Sequence, residues 1–165
     1  MHAIDIAECP AAAHAQSGRA ITICVIAGLG LSVGALVYLT DRMASLPQHH
    51  HLFGAVGQWL PSFLHTFSFS LLTAAAGSAT KPAAYGSCAA WCMVNLAFEL
   101  GQHPQVSPRL ADLLLRFFGD TAPSRWTSNF FLRGTFDIND VAAALAGGLA
   151  AAGLLYLIHS HRRAT

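Results

Sequence analysis

Six polar side chains lie in or beside long hydrophobic stretches of this sequence, and their types are suited to chemistry. They are His65, Glu99, Gln102, Arg133, Asp137 and Asp140. An ionisable side chain placed at membrane depth is costly and usually has a function. The set therefore predicts a polar site inside an otherwise apolar protein.

The strongest candidates for catalysis are Glu99, His65 and Asp140. Glu99 would be the acid, base or ligand-binding carboxylate, His65 its proton partner and Asp140 a second carboxylate. His65 has a simpler interpretation, one hydrogen bond within a helix bundle. The nucleophile-elbow, HExxH, GxxxxGK and GxGxxG motifs are absent from the sequence, so catalysis remains an open question.

Gln102, Asp137 and Arg133 are candidate ligand-binding residues, and Arg133 could contact a headgroup phosphate. Two of these assignments have structural alternatives. Asp137 could simply cap a helix, because acidic residues favour helix N-termini. Glu99 could form a structural ion pair with Arg133 or Arg109.

Composition indicates a protein surrounded mostly by lipid. The chain has 165 residues, 10% of them charged, with a mean hydropathy of +0.47, whereas soluble domains carry about 25% charged residues. The net charge of +1 gives no nucleic-acid-binding signature. The four cysteines follow no zinc or disulfide spacing, and the adjacent histidines His49–His51 lack a neighbouring carboxylate. We expect no metal site and no cofactor.

Four apolar stretches predict an all-α membrane protein with a bundle of four transmembrane helices. The predicted spans are 20–40, 59–79, 82–102 and 137–158, each near the length of about 20 residues that crosses a bilayer. They form one domain, 20–158, between a polar tail (1–19) and a basic tail (159–165). Pro108–Phe118 predicts a short amphipathic helix at the membrane interface, between spans three and four.

The order of the crossings brings the polar residues together. Span three ends on the side of the membrane where spans two and four begin, so all six residues should lie near one surface. The basic residues are almost evenly divided between the two sides, but Arg162 and Arg163, next to the last span, favour cytoplasmic termini. We expect the first span to be retained as an anchor.

Small residues suggest close helix packing on the first and last spans. Gly30 and Gly34 form a GxxxG pair, and two small-residue stripes run along span four. The stripes are Ala143, Gly147 and Ala151, and Ala144, Gly148 and Ala152. These faces could pack against neighbouring helices or against a membrane-protein partner.

Residues 59–155 resemble the VanZ-like family of bacterial integral membrane proteins. The resemblance lies in FLHTFSFSLL, FELGQ and RGTFDINDVAAALAGG. Together these three segments contain all six candidate residues, and Arg133 is the first residue of the third. Ala144 stands where that family usually has an asparagine. The resemblance implies a multi-pass protein of the bacterial cytoplasmic membrane, associated with low-level teicoplanin resistance.

Two functions follow from the sequence. The first is a cell-envelope protein with a polar pocket open to one leaflet, binding or modifying a lipid-linked or envelope ligand in contact with membrane lipid. The second is an accessory subunit packed against a larger membrane complex through the small-residue faces, in which case the polar residues only hold the helices together.

Overall fold

The computed structural model describes residues 10–44, 53–77 and 80–160. These ranges form six α-helices and contain no strand: α1 (Pro10–Ala44), α2 (Gly54–Ala76), α3 (Lys81–Gly101), α4 (Ser107–Phe118), α5 (Ala122–Arg133) and α6 (Ile138–Ser160). The predicted all-α class is confirmed for this part of the chain. His49–His51, Cys9 and the basic tail beyond Ser160 lie outside the described residues.

Helices α1, α2, α3 and α6 correspond to the four predicted spans, with shifted ends. The main difference is that α1 begins at Pro10, so the second half of the predicted polar tail is helical. That segment is rich in alanine, the strongest helix former. Two described helices, over Ser17–Thr40 and Ile138–Ser160, are long and apolar enough to cross a membrane by length and composition. Helices α2 and α3 do not meet this criterion, so the predicted set of four transmembrane helices is not supported for the described part of the chain.

Helix α2 is the centre of the bundle, because it packs against α1, α3 and α6, and α3 also packs against α6. Glycines allow these close approaches. A Cβ atom at Gly147 of α6 would collide with the Phe63 carbonyl oxygen of α2. A Cβ atom at Gly148 would collide with Cys92 Sγ of α3. The predicted packing of the last span by neighbours on two sides is thus confirmed.

The GxxxG pair of the first span also packs inside the chain. Gly30 faces the Ser68 side chain, and a Cβ atom at Gly34 would lie 3.3 Å from Leu64 Cβ. The small-residue faces proposed for a membrane-protein partner are therefore occupied by helices of the same molecule. A partner would need other residues.

The predicted helix 108–118 corresponds to α4, and α5 is an additional helix that the sequence patterns did not identify. Thr121 and Ser124 form a capping box that begins α5, and Gly119, at a positive φ of 68°, ends α4. Helix α5 packs against the end of α3, where a Cβ atom at Gly101 would lie 2.6 Å from the Phe131 ring. The α4–α5 hairpin is thereby attached to one end of the bundle.

The apolar core lies toward the opposite end, where α1 begins and α6 ends. Its buried residues come from four helices and are Ile23, Ala27, Leu71, Ala84, Cys88, Ala151 and Leu155. The tight apolar packing is concentrated there, away from the polar residues.

Candidate functional site

A cavity of about 950 Å³ lies at the end of the bundle that carries the α4–α5 hairpin. It is lined by the second half of α1, the first half of α2, the end of α3, Phe130 of α5 and the start of α6. Five of the six candidate residues line it: His65, Glu99, Gln102, Asp137 and Asp140. Helices separated in sequence thus bring these side chains to one site.

Asp140 lies in the first turn of α6 and is half-buried. The Ser62 hydroxyl of α2 donates a hydrogen bond of 2.7 Å to Asp140 Oδ1. The close approach of α6 to α2 at Gly147 holds these two helices in the register that this bond requires. The second carboxylate oxygen of Asp140 remains available to a ligand.

Glu99 lies in the last turn of α3 and is also half-buried. The Asp137 backbone N–H points to Glu99 Oε2 at 3.4 Å, a long hydrogen bond that links the end of α3 to the start of α6. No ion pair with Arg133 or Arg109 forms among the described residues, so the structural ion pair considered from the sequence is not observed. Glu99 therefore faces the cavity without a cationic partner from this part of the chain.

Asp137 performs the capping role that the sequence allowed. Its Oδ1 accepts hydrogen bonds from the Asn139 backbone N–H at 2.8 Å and from Asn139 Nδ2 at 3.0 Å. Such a side-chain acceptor satisfies backbone donors at a helix start. Asp137 lines the cavity as well, but part of its carboxylate is already used.

His65 belongs to an aromatic group on one wall of the cavity. Its ring centroid lies 4.6 Å from that of Phe69 and 6.3 Å from that of Trp91. Trp91 is fixed by a 2.8 Å hydrogen bond from its Nε1 to Thr73 Oγ1. In the described ranges the ring nitrogens of His65 have no hydrogen-bond partner, so they are available to a ligand.

The remaining two candidates are placed differently. Gln102 packs under the connection between α5 and α6, because a Cβ atom at Gly134 would collide with its side-chain amide. Arg133 ends α5, is exposed and does not line the cavity. Its predicted contact with a headgroup phosphate therefore lies outside the cavity.

Several lining residues were not identified from the sequence. Ser62 is the most consequential, since it binds Asp140, and its spacing of three from His65 places both on one face of α2. Pro61 also lines the cavity together with Gly57. Proline has no N–H, so the Gly57 carbonyl lacks its usual helical donor and adds an acceptor to the wall.

The lining can bind a polar group, but its described residues do not suit a metal ion. No set of three or more His, Cys, Asp or Glu residues within the described ranges could hold a metal. The lining is instead a wide mixture of carboxylates, amides, hydroxyls and aromatic rings. Clefts of this size usually take small organic ligands.

Comparisons with protein-family models, curated proteins and solved structures find no match for this chain. The function is therefore inferred from the cavity and from the surfaces around it.

Proposed function

We propose that this chain is a VanZ-like integral membrane protein of the bacterial cytoplasmic membrane whose cavity binds a lipid-linked or envelope ligand. The observation that carries the proposal is the cavity itself, which collects His65, Glu99 and Asp140 from three helices at one end of an apolar bundle. Whether the carboxylates only bind the ligand or also transfer protons to it is decided by product analysis after binding is established.

The outer surfaces of the bundle support insertion in a membrane. The most apolar windows of the two candidate spans are only 22% and 33% buried inside the protein, unlike the core helices of a soluble protein. Ile21, Leu29 and Leu36 of α1 are exposed, and Leu149 of α6 is 75% exposed. Exposed apolar surface of this extent marks an interaction with lipid or another apolar partner.

Helices α2 and α3 complete the proposed set of four spans. They pack between or beside the two apolar helices, so crossing by α1 and α6 carries them across as well. Their lower hydropathy is compatible with this position because three hydroxyl residues of α2 are buried inside the bundle. Thr66, Ser68 and Ser70 have no exposed surface, and small hydroxyl residues are common between packed membrane helices.

The α4–α5 hairpin suits the membrane interface at the level of the cavity. Phe117 and Trp126 are 77% and 72% exposed, and arginines occupy both helices. Aromatic and basic residues are enriched where hydrocarbon meets headgroups. With cytoplasmic termini, this arrangement places the hairpin and the cavity mouth at the outer leaflet, where an envelope ligand would be met.

Four residues of the segments that resemble the VanZ-like family, His65, Glu99, Asp137 and Asp140, line the same cavity. The departure at Ala144 does not remove a lining group. Ala144 is buried, does not line the cavity and offers its carbonyl to Cys92 Sγ at 3.8 Å. The proposed site is thus complete without the asparagine usual in that family.

The test is purification from native membranes followed by mass spectrometry of everything that stays bound, for the wild type and Glu99→Gln. Glutamine keeps the shape of the side chain and removes the charge. We expect a lipid or envelope molecule that is lost in Glu99→Gln but retained in Asp112→Asn, which removes an exposed carboxylate of α4 outside the cavity. Retention of the same ligand by Glu99→Gln would contradict the assignment.

The alternative function, an accessory subunit of a larger complex, loses its main support. Its proposed contact faces on the first and last spans pack against α2 and α3 of the same chain. In the same purification, a stoichiometric protein partner with an empty cavity would favour this alternative over the ligand-binding function.

A further inference from the structure

The charged side chains that line the cavity are acidic among the described residues. Glu99, Asp137 and Asp140 contribute carboxylates, and none of the described lining residues is a lysine or an arginine. Arg133, the residue suggested for phosphate binding, lies outside the lining. A phosphate or carboxylate inside the cavity would face three carboxylates and only one basic side chain, the His65 imidazole, so the described lining disfavours an anionic ligand.

The acidic side of the lining offers hydrogen-bond acceptors to a ligand, whereas the amides of Gln58, Asn95 and Gln102 elsewhere in the lining can also donate. The Ser62 hydroxyl already donates to Asp140, which leaves the second Asp140 oxygen and one Glu99 oxygen without a partner among the described residues. The Gly57 carbonyl, without a helical donor because of Pro61, adds a backbone acceptor. A ligand group that donates several hydrogen bonds would satisfy these atoms.

Aromatic rings form the neighbouring walls. Phe69 stacks on Trp91 with ring centroids 4.7 Å apart and contacts His65 on its other side. On the α3 side, Phe98 and Phe130 meet edge to face at 5.9 Å. Aromatic faces attract cations that lie within about 6 Å of the ring centroid, and they do not attract anions in the same way.

The volume of the cavity and the arrangement of its described side chains favour an organic cation over a metal ion. The cavity volume of about 950 Å³ far exceeds the space a metal ion requires, and the described residues hold no metal-binding group. The α1 wall supplies apolar surface through Leu31 and Ala35. A ligand with a charged head group and an apolar body would contact both the carboxylates and the apolar α1 wall.

Resting on the proposed function, we infer that the cavity takes an ammonium-bearing amphiphile, with the ammonium group between Glu99 and Asp140 and the apolar body along α1. The lipid-linked or envelope ligand would then be recognised through a protonated amine and not through a phosphate.

The experiment measures binding of three matched probes, decylamine, decanol and decanoate, to the purified protein by native mass spectrometry. The three probes have the same number of carbon atoms and differ in the head group, which is cationic, neutral or anionic. The variants are Glu99→Gln/Asp140→Asn, the control Asp112→Asn/Asp120→Asn, which removes two exposed carboxylates of the hairpin region, and Ala35→Trp, which fills the cavity from α1. The two single variants replace the first if the double variant fails to purify as a monodisperse protein.

We expect decylamine to bind the wild type and the control about tenfold more tightly than decanol or decanoate do, since a charge-assisted hydrogen bond accounts for roughly that ratio. Glu99→Gln/Asp140→Asn should lose this preference, and Ala35→Trp should lose binding. Equal or tighter binding of decanol or decanoate that Ala35→Trp abolishes would overturn the cationic ligand while leaving the proposed cavity function intact. Binding of every probe that Ala35→Trp leaves unchanged would overturn both.

Discussion

The contact of α6 with α2 at Gly147 offers the sharpest test of the arrangement that builds the site. Gly147 is buried, and a Cβ atom there would collide with the Phe63 carbonyl oxygen and lie 3.2 Å from the Phe67 backbone nitrogen. Both neighbours are backbone atoms, which cannot rotate away as a side chain would. Gly147→Ala should therefore force the two helices apart.

The expected loss of stability can be estimated from two opposing effects. Replacing glycine by alanine within a helix gains about 1 kcal/mol from helix propensity. Overpacking a tight interior costs about 1–3 kcal/mol, and a collision with backbone belongs at the upper end. Gly147→Ala should thus lower the free energy of unfolding by about 1–2 kcal/mol. The control Gly153→Ala, on the same helix with nothing within 4 Å of its Cβ position, should keep the gain.

The assay is reversible unfolding in mixed micelles, with the helical circular dichroism signal followed as the denaturing detergent increases. The two alanine variants should differ by about 2–3 kcal/mol, the sum of the loss at one position and the gain at the other. Equal stabilities would mean that α6 does not approach α2 closely at Gly147. The register that places Asp140 opposite Ser62 would then be wrong as well.

Two further predictions concern the site and the membrane topology. Ser62→Ala removes the 2.7 Å hydrogen bond to Asp140 and should lower the free energy of unfolding by about 1 kcal/mol. The control variant Ser62→Thr keeps the hydroxyl group. Equal stability of the two variants would show that the hydrogen bond does not contribute to stability. In a background with the native cysteines replaced by alanine, Asp120→Cys should react with a membrane-impermeant maleimide in intact cells, and Lys81→Cys only after permeabilisation. Lys81 begins α3, whereas Asp120 lies between α4 and α5, in the hairpin attached to the other end of α3, and both positions are exposed. The reverse labelling pattern would show that the orientation in the membrane is opposite to the one proposed. Identical labelling of the two positions would show that α3 does not cross the membrane.

The positions of the long helices could be predicted from the sequence because each follows an apolar stretch of about 20 residues, longer than a β-strand. Helix α5 could not, and the reason is local. Its capping box uses Ser124 at the third helical position, where the recognisable pattern has glutamate or glutamine. Phe131 packs on Gly101 and attaches the hairpin to α3, a contact between residues far apart in the sequence that no local pattern predicts.

The polar residues of the site were identifiable because each is unusual in its surroundings, as Glu99 is at the end of an apolar helix. Their partners were harder to predict. A serine such as Ser62 is common in membrane helices, and its bond to Asp140 depends on the separation of α2 from α6, which Gly147 sets. Likewise, nothing in the local sequence distinguishes the inward direction of Glu99 from the outward direction of Arg133.

The polar residues of α2 and α3 fall into two groups that lie at different levels of the bundle. Toward the end where α1 begins, serine and threonine side chains of α2 are fully buried beside an apolar core. At the other end, His65, Glu99 and Asp140 face a cavity, where water or a ligand can solvate them. The free-energy cost of a carboxylate that faces a solvated cavity is much lower than that of one facing hydrocarbon.

The α4–α5 hairpin, attached through Phe131, lies at the end of the bundle that contains the cavity. Loss of the hairpin should therefore destabilise the carboxylate-bearing helix ends before it affects the apolar core.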